Sequence, residues 1–186
     1  QMMAGTTSGS GKAIMIMTPQ LLESLLPILA QGINNMSSPR HPTVYTEQVL
    51  QNLLGLFIEQ SQRGGEVGLT FPPDILQEIV DQNEYLDLAG QACLLLSMQD
   101  DGQQYLSEAL VERLLFLADF NQLITESDPE ASVESLQQIS LFAFLALIKL
   151  TGTREGCELA SALDAMQTII KQIKNGVYEP KQTALA

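Results

Sequence analysis

From Thr18 to Asn175 the apolar residues of this chain recur every three or four positions, and few segments alternate with a period of two. A 3.6-residue period gathers such residues on one side of a helix, whereas a half-buried strand needs strict alternation. The pattern predicts an all-α chain. Thr18 and Pro19 announce the first helix, one as a cap and the other at a position whose N–H has no intrahelical partner. Its stripe is Leu21, Leu22, Leu25, Leu29 and Ile33, and Pro27 is placed to kink it. A loop, 34–42, leads to a second helix over Thr46–Gln62, which buries Val49, Leu50, Leu53, Leu56 and Phe57 and stops at Gly64-Gly65. Pro72-Pro73-Asp74 starts a short helix that runs through Val80, and further helices are predicted over Glu84–Met98 and Gln103–Phe120. An acidic connector, Thr125–Val133, comes next, with Asp128-Pro129 in it as a helix-start signal. One helix then runs to Leu150 and a last one covers Glu155–Asn175.

Charge narrows the partners. With 9 basic and 22 acidic residues the formal charge is −13, which argues against a nucleic-acid backbone. Between Gly64 and Glu112 there is no Lys or Arg, while ten acids fall there, among them Asp74, Glu78, Asp81, Glu84 and Asp87. Such a block either solvates the surface or meets a cationic partner. Hydrophobic residues at 45% and charged ones at 17% fit a globular chain rather than a disordered one. The longest apolar run, Leu141–Ile148, is well short of the ~20 residues of a membrane span, so no membrane partner is expected. Being apolar on every side, that run belongs at the centre of a helical stack.

The constellations that carry chemistry are weak. Gly5–Ala13 resembles a phosphate-binding loop, but Thr6 stands where Gly is required and Ala13 where Ser or Thr is. His41 is the only histidine and lies between Arg40 and Pro42, too isolated for a triad or a multi-His metal site. Asp100-Asp101-Gly102 lacks the alternating ligands of a calcium loop. Cys93, among apolar residues, and Cys157, at a helix start, read as reduced thiols, the first of them in the core. Ser127-Asp128-Pro129-Glu130 is either a phosphoacceptor or docking loop, or a set of polar residues capping the next helix. No catalytic residue, metal or cofactor is therefore expected. No signal peptide fits, so the expected location is cytoplasmic or nuclear. The expected organisation is a flexible segment over 1–17, a helical domain over 18–176 and a tail over 177–186.

The sequence also repeats itself. Displaced by 54 residues, Ala89 pairs with Ala143, Ala92 with Ala146, Leu96 with Leu150, Ser97 with Thr151 and Gly102 with Gly156. After an insertion of two residues, Ala109 pairs with Ala165, Leu110 with Met166, Leu114 with Ile170 and Leu117 with Ile173. Small residues at matching helix positions let two axes approach closely, and the glycine lets the chain turn back.

Leu88–Ser97 resembles the third helix of an armadillo repeat, and Ala109–Leu117 its second, with Ala109 where the family often has Gly. The resemblance covers about Thr46–Asn175, and its spacing of 54 exceeds the family's usual value of about 42 by roughly the length of the connector. It implies a right-handed armadillo-like α-solenoid of about three irregular repeats, with the first helix as a lid. It further implies a non-catalytic scaffold that binds a peptide or helix of a protein partner. The groove would be formed by Glu84, Asp87, Gln91 and Leu95 on one inner helix and Gln138, Leu145 and Lys149 on the next. Glu108 and Glu112 would extend its acidic rim, and a Lys- or Arg-bearing peptide would fit it. The family's peptide-binding Trp and Asn positions hold Gln91 and Leu145, and Leu95 and Lys149, so an asparagine ladder is not supported. The competing expectation is a compact helical bundle that dimerises or binds a partner through an apolar face.

Overall fold

A computed structural model of the 186-residue chain describes residues 19–36, 43–62, 72–81, 85–99 and 105–174. Nine helices and no strand occur among them. They are α1 (Pro19–Met36), α2 (Thr43–Gln62), α3 (Pro73–Val80), α4 (Leu86–Met98), α5 (Glu108–Ala118), α6 (Phe120–Glu126), α7 (Val133–Thr151), α8 (Arg154–Ala162) and α9 (Ala165–Lys174). The glycine-rich segment, His41, Gly64-Gly65, Glu84, Asp100-Asp101-Gly102 and the tail lie outside the described residues.

Short polar side chains start most of the later helices. Ser107 accepts from the Leu110 N–H at the head of α5, Asp119 from Gln122 at α6, Ser132 from Ser135 at α7 and Thr153 from Gly156 at α8. Each supplies an acceptor to an N–H that the helix itself leaves unpaired. Asp128 does not cap α7. Its carboxylate instead accepts from the Glu130 N–H at 2.8 Å, folding the connector into a local turn that delivers Ser132 to the cap.

The most extensive helix–helix packing joins α4 to α7. Ala89, Ala92, Ala143 and Ala146 are all fully buried, so the small residues sit where the helices meet the core. Gly90 faces Ile139 so closely that a Cβ on it would lie 2.8 Å from Ile139 Cγ1 and 3.6 Å from its Cα. Side-chain bulk has been removed there to bring the two backbones together. α2 packs on the same helix α4, and α5, α6 and α8 on α7. Further contacts join α1 to α2, α3 to α4, α1 to α3, α3 to α5 and α5 to α9. α7 is long and apolar enough to cross a membrane by length and composition alone; here it is the helix against which four others pack. Its one buried polar side chain, Ser140, donates to the Ala118 carbonyl at 2.8 Å and pins α7 to the end of α5.

Two expectations are corrected at the C-terminal side. The predicted last helix is two, broken at Leu163-Asp164, where Asp164 has φ 53. Aspartate is one of the few residues that enters the left-handed region at modest cost, and neither Gly nor Pro marks the break. The second half of the repeat also fails to match in burial. Leu110, Leu114 and Leu117 are buried, but their assigned partners Met166, Ile170 and Ile173 are 45–61% exposed. Without the two-residue insertion Val111 meets Ala165, both buried, but Leu110, Leu114 and Leu117 then meet Asp164, Thr168 and Lys171, none of them buried. α8 leaves Leu145 and Ile148 of the central helix exposed as well.

Candidate functional site

The N-terminal parts of α4 and α7, the end of α6 and the connector after it line a common space. The result is a cleft of about 660 Å³. Its floor is apolar, formed by Leu86, Phe116, Leu123, Leu136 and Ile139 together with Tyr85. Its rim carries four carboxylates, Glu47 from α2, Asp87 from α4, Glu126 from α6 and Asp128 from the connector, with no Lys, Arg or His among the described residues that line it. Asp87, Ser135 and Ile139 are shared with a smaller notch of about 230 Å³ that also exposes Gln51, Gly90, Gln91, Gln138 and Phe142.

Neutral donors hold three of the rim acids. Gln51 Nε2 donates to Glu47 at 3.1 Å, Gln122 Nε2 to Glu126 at 3.0 Å, and the Glu130 N–H to Asp128. Such bonds fix a carboxylate without cancelling its charge. The cleft is therefore a preorganised anionic surface over an apolar base, suited to a cation with a hydrocarbon stem.

Arg113 stands behind this wall. Its guanidinium lies 4.9 Å from the centre of the Phe116 ring, and its Nε donates to the Val80 carbonyl at 2.9 Å. The bond satisfies the C-terminal end of α3, and the stacking fixes the ring that floors the cleft. Burial lowers the Arg113 pKa from its ordinary value, opposed by the carboxylates of Asp81 and Glu126 and by Cys93 when it is ionised. Nη2 is buried without a hydrogen-bond partner among the described residues. Cys93, fully buried, has its thiol pushed up to about 12 by burial, against the pull of Arg113, which leaves it protonated and unreactive.

Of the residues expected to form a groove, Asp87, Gln91 and Gln138 meet at the notch. Leu95 does not: it is 1% exposed, buried in the core on α4, a helix on which both α2 and α7 pack. Leu145 and Lys149 lie two to three turns further along α7 and line neither cavity. Glu108 and Glu112 are exposed on α5 and line neither, so they do not extend this rim. Glu84 lies outside the described residues. The sequence reading missed Glu47, Glu126, Tyr85 and Phe116, and left Asp128 between a docking loop and a helix cap, apart from the groove. Three of these acids lie outside the uninterrupted acidic block, and only the folded chain gathers them. The available signal was the connector itself, a long polar insertion between two strongly periodic helices. Among the described residues no group of three or more His, Cys, Asp or Glu side chains is placed to hold a metal ion. Comparison with protein-family models, curated proteins and solved structures finds no match to this chain.

Proposed function

We propose that this chain is a non-catalytic protein–protein interaction module, an armadillo-like stack of helical hairpins that binds a basic segment of a partner protein in the cleft between α4, α7 and the connector. The observation that carries this reading is the cleft's composition: four carboxylates around an apolar, aromatic floor, with no cation among the described residues that line it. A lysine or arginine would lay its stem on the floor and its charge at the rim. The succession of α2, α4 and α7 in one row, with α1, α3, α5 and α9 touching in another, supports the stacked architecture. Such a module would work in the cytoplasm or nucleus.

The test is affinity capture of partners by the full chain, followed by titration of a captured basic segment at several salt concentrations. Asp87→Lys combined with Glu126→Lys should weaken binding by at least about tenfold at low salt and flatten its salt dependence. Unchanged affinity in the double variant would remove the cleft from the account. A second reading has its own observation. Met166, Ile170 and Ile173 make an exposed apolar stripe along α9, which favours docking or dimerisation through that face. Concentration-dependent mass in solution, abolished by Ile170→Glu, would support it.

A further inference from the structure

Gln91 holds the least settled polar atom near the cleft. Its Oε1 is closed off from solvent and has no hydrogen-bond donor among the described residues, although its side chain lines the notch. Buried acceptors are nearly always paired, so an orphan at the wall of a cavity calls for a reason. Gln51, across the notch, directs its amide N–H to Glu47 instead. In the structure Oε1 is turned away from solvent; the last torsion of a glutamine is soft, and a half-turn about it, which exchanges Oε1 with Nε2, would bring the acceptor to the notch.

Asp87 is the neighbour that gives this acceptor a use. It precedes Gln91 by four residues on α4, and both line the notch, with Asp87 also on the cleft. Residues so spaced on a helix have Cβ atoms about 5–6 Å apart on one face. With the amide so turned, a carboxylate and an amide oxygen on one helix face would match a planar group with several fixed N–H bonds. A guanidinium has five such donors in a rigid fork; an ammonium is a compact point charge that is satisfied by one strong acceptor and water. Ile139 and Phe142 border the same notch and offer apolar surface to the methylene stem.

We infer that Asp87 and Gln91 form a guanidinium subsite, so that the partner segment is recognised through an arginine in preference to a lysine. This rests on the reading of the cleft as the site for a basic segment, and it specifies which cation is read and by which atoms. Asp87 takes two N–H groups of the fork and Gln91 Oε1 a third, leaving the remaining rim acids to act through charge alone.

The probes are two N-acetylated, C-amidated heptapeptides, Gly-Ser-Gly-Arg-Gly-Ser-Gly and its lysine counterpart, titrated into the isotopically labelled full chain and followed by backbone amide shifts. The arginine peptide should bind about tenfold more tightly, the worth of one hydrogen bond to a charged group. Gln91→Met, which keeps the length and loses the acceptor, should bring the two affinities within about twofold while leaving the lysine peptide unaffected and raising the melting temperature. A purely structural Gln91 would move stability but not the arginine-to-lysine ratio. If Gln91→Met does not fold, Gln91→Asn, with the amide withdrawn by one methylene, is read in the same way. Equal binding of the two peptides by the unaltered chain, or a preference that survives loss of the acceptor, overturns the guanidinium subsite and leaves the interaction module standing. Failure of both peptides to shift any resonance of the cleft overturns both.

Discussion

Single residues set how closely α4 can lie on α7 and how it responds to pH. A Cβ at Gly90 would press on Ile139, whose Cα is only 3.6 Å away, so the neighbour has little room to yield. Gly90→Val should cost about 1–3 kcal/mol in urea unfolding, despite removing a flexible residue from a helix interior. Cys93 gives a pH signature. Its folded-state value of about 12 lies above the ordinary 9.0, so above pH 9 the unfolded chain has lost a proton that the folded chain retains. Stability is therefore whole below that point and falls as pH rises towards 12, by at most about 4 kcal/mol for a one-proton difference across this window. Denaturant melts of wild type and Cys93→Ala between pH 8 and 11 should diverge, with the variant losing stability less steeply. Parallel curves would mean that the thiol ionises in the folded state as easily as in the unfolded one.

At the scale of helices, the turn between α7 and α8 and the break between α8 and α9 are the points of greatest constraint. A Cβ at Gly156 would run into the Leu150 carbonyl, so Gly156→Ala should destabilise by about 1–3 kcal/mol. Asp164 at φ 53 tolerates glycine, while Asp164→Val should lose about 1–2 kcal/mol, read by the urea midpoint. These features mark what the sequence did and did not disclose. Apolar spacing was enough to find α1 to α5 and α7, because each has a continuous stripe to bury. α6 was divided between the end of a predicted helix and a connector, since Asp119 ends one helix and caps the next with no Gly or Pro between them. α9 misled the repeat alignment because it is apolar on two sides, one meeting the core through Ala165 and Ile169 and the other facing outward. Hydrophobic spacing alone does not tell such sides apart.

Across the whole molecule, the cleft was only partly readable from the chain. Asp87, Gln91 and Gln138 came from the expected inner helices, yet Leu95, one turn beyond Gln91 on the same helix, is buried in the core. Net charge pointed to a cationic partner but not to the place of contact, because the rim acids come from α2, α4, α6 and the connector, residues up to 81 positions apart (Glu47 to Asp128). The central claim is that a basic partner segment occupies this composite cleft. Amide hydrogen exchange of the full chain, with and without such a segment at saturating concentration, addresses it most directly. Slowed exchange confined to the first turns of α4 and to the stretch from the end of α6 through the start of α7 is the predicted result. Protection that falls instead on α9, or on neither stretch, would contradict it.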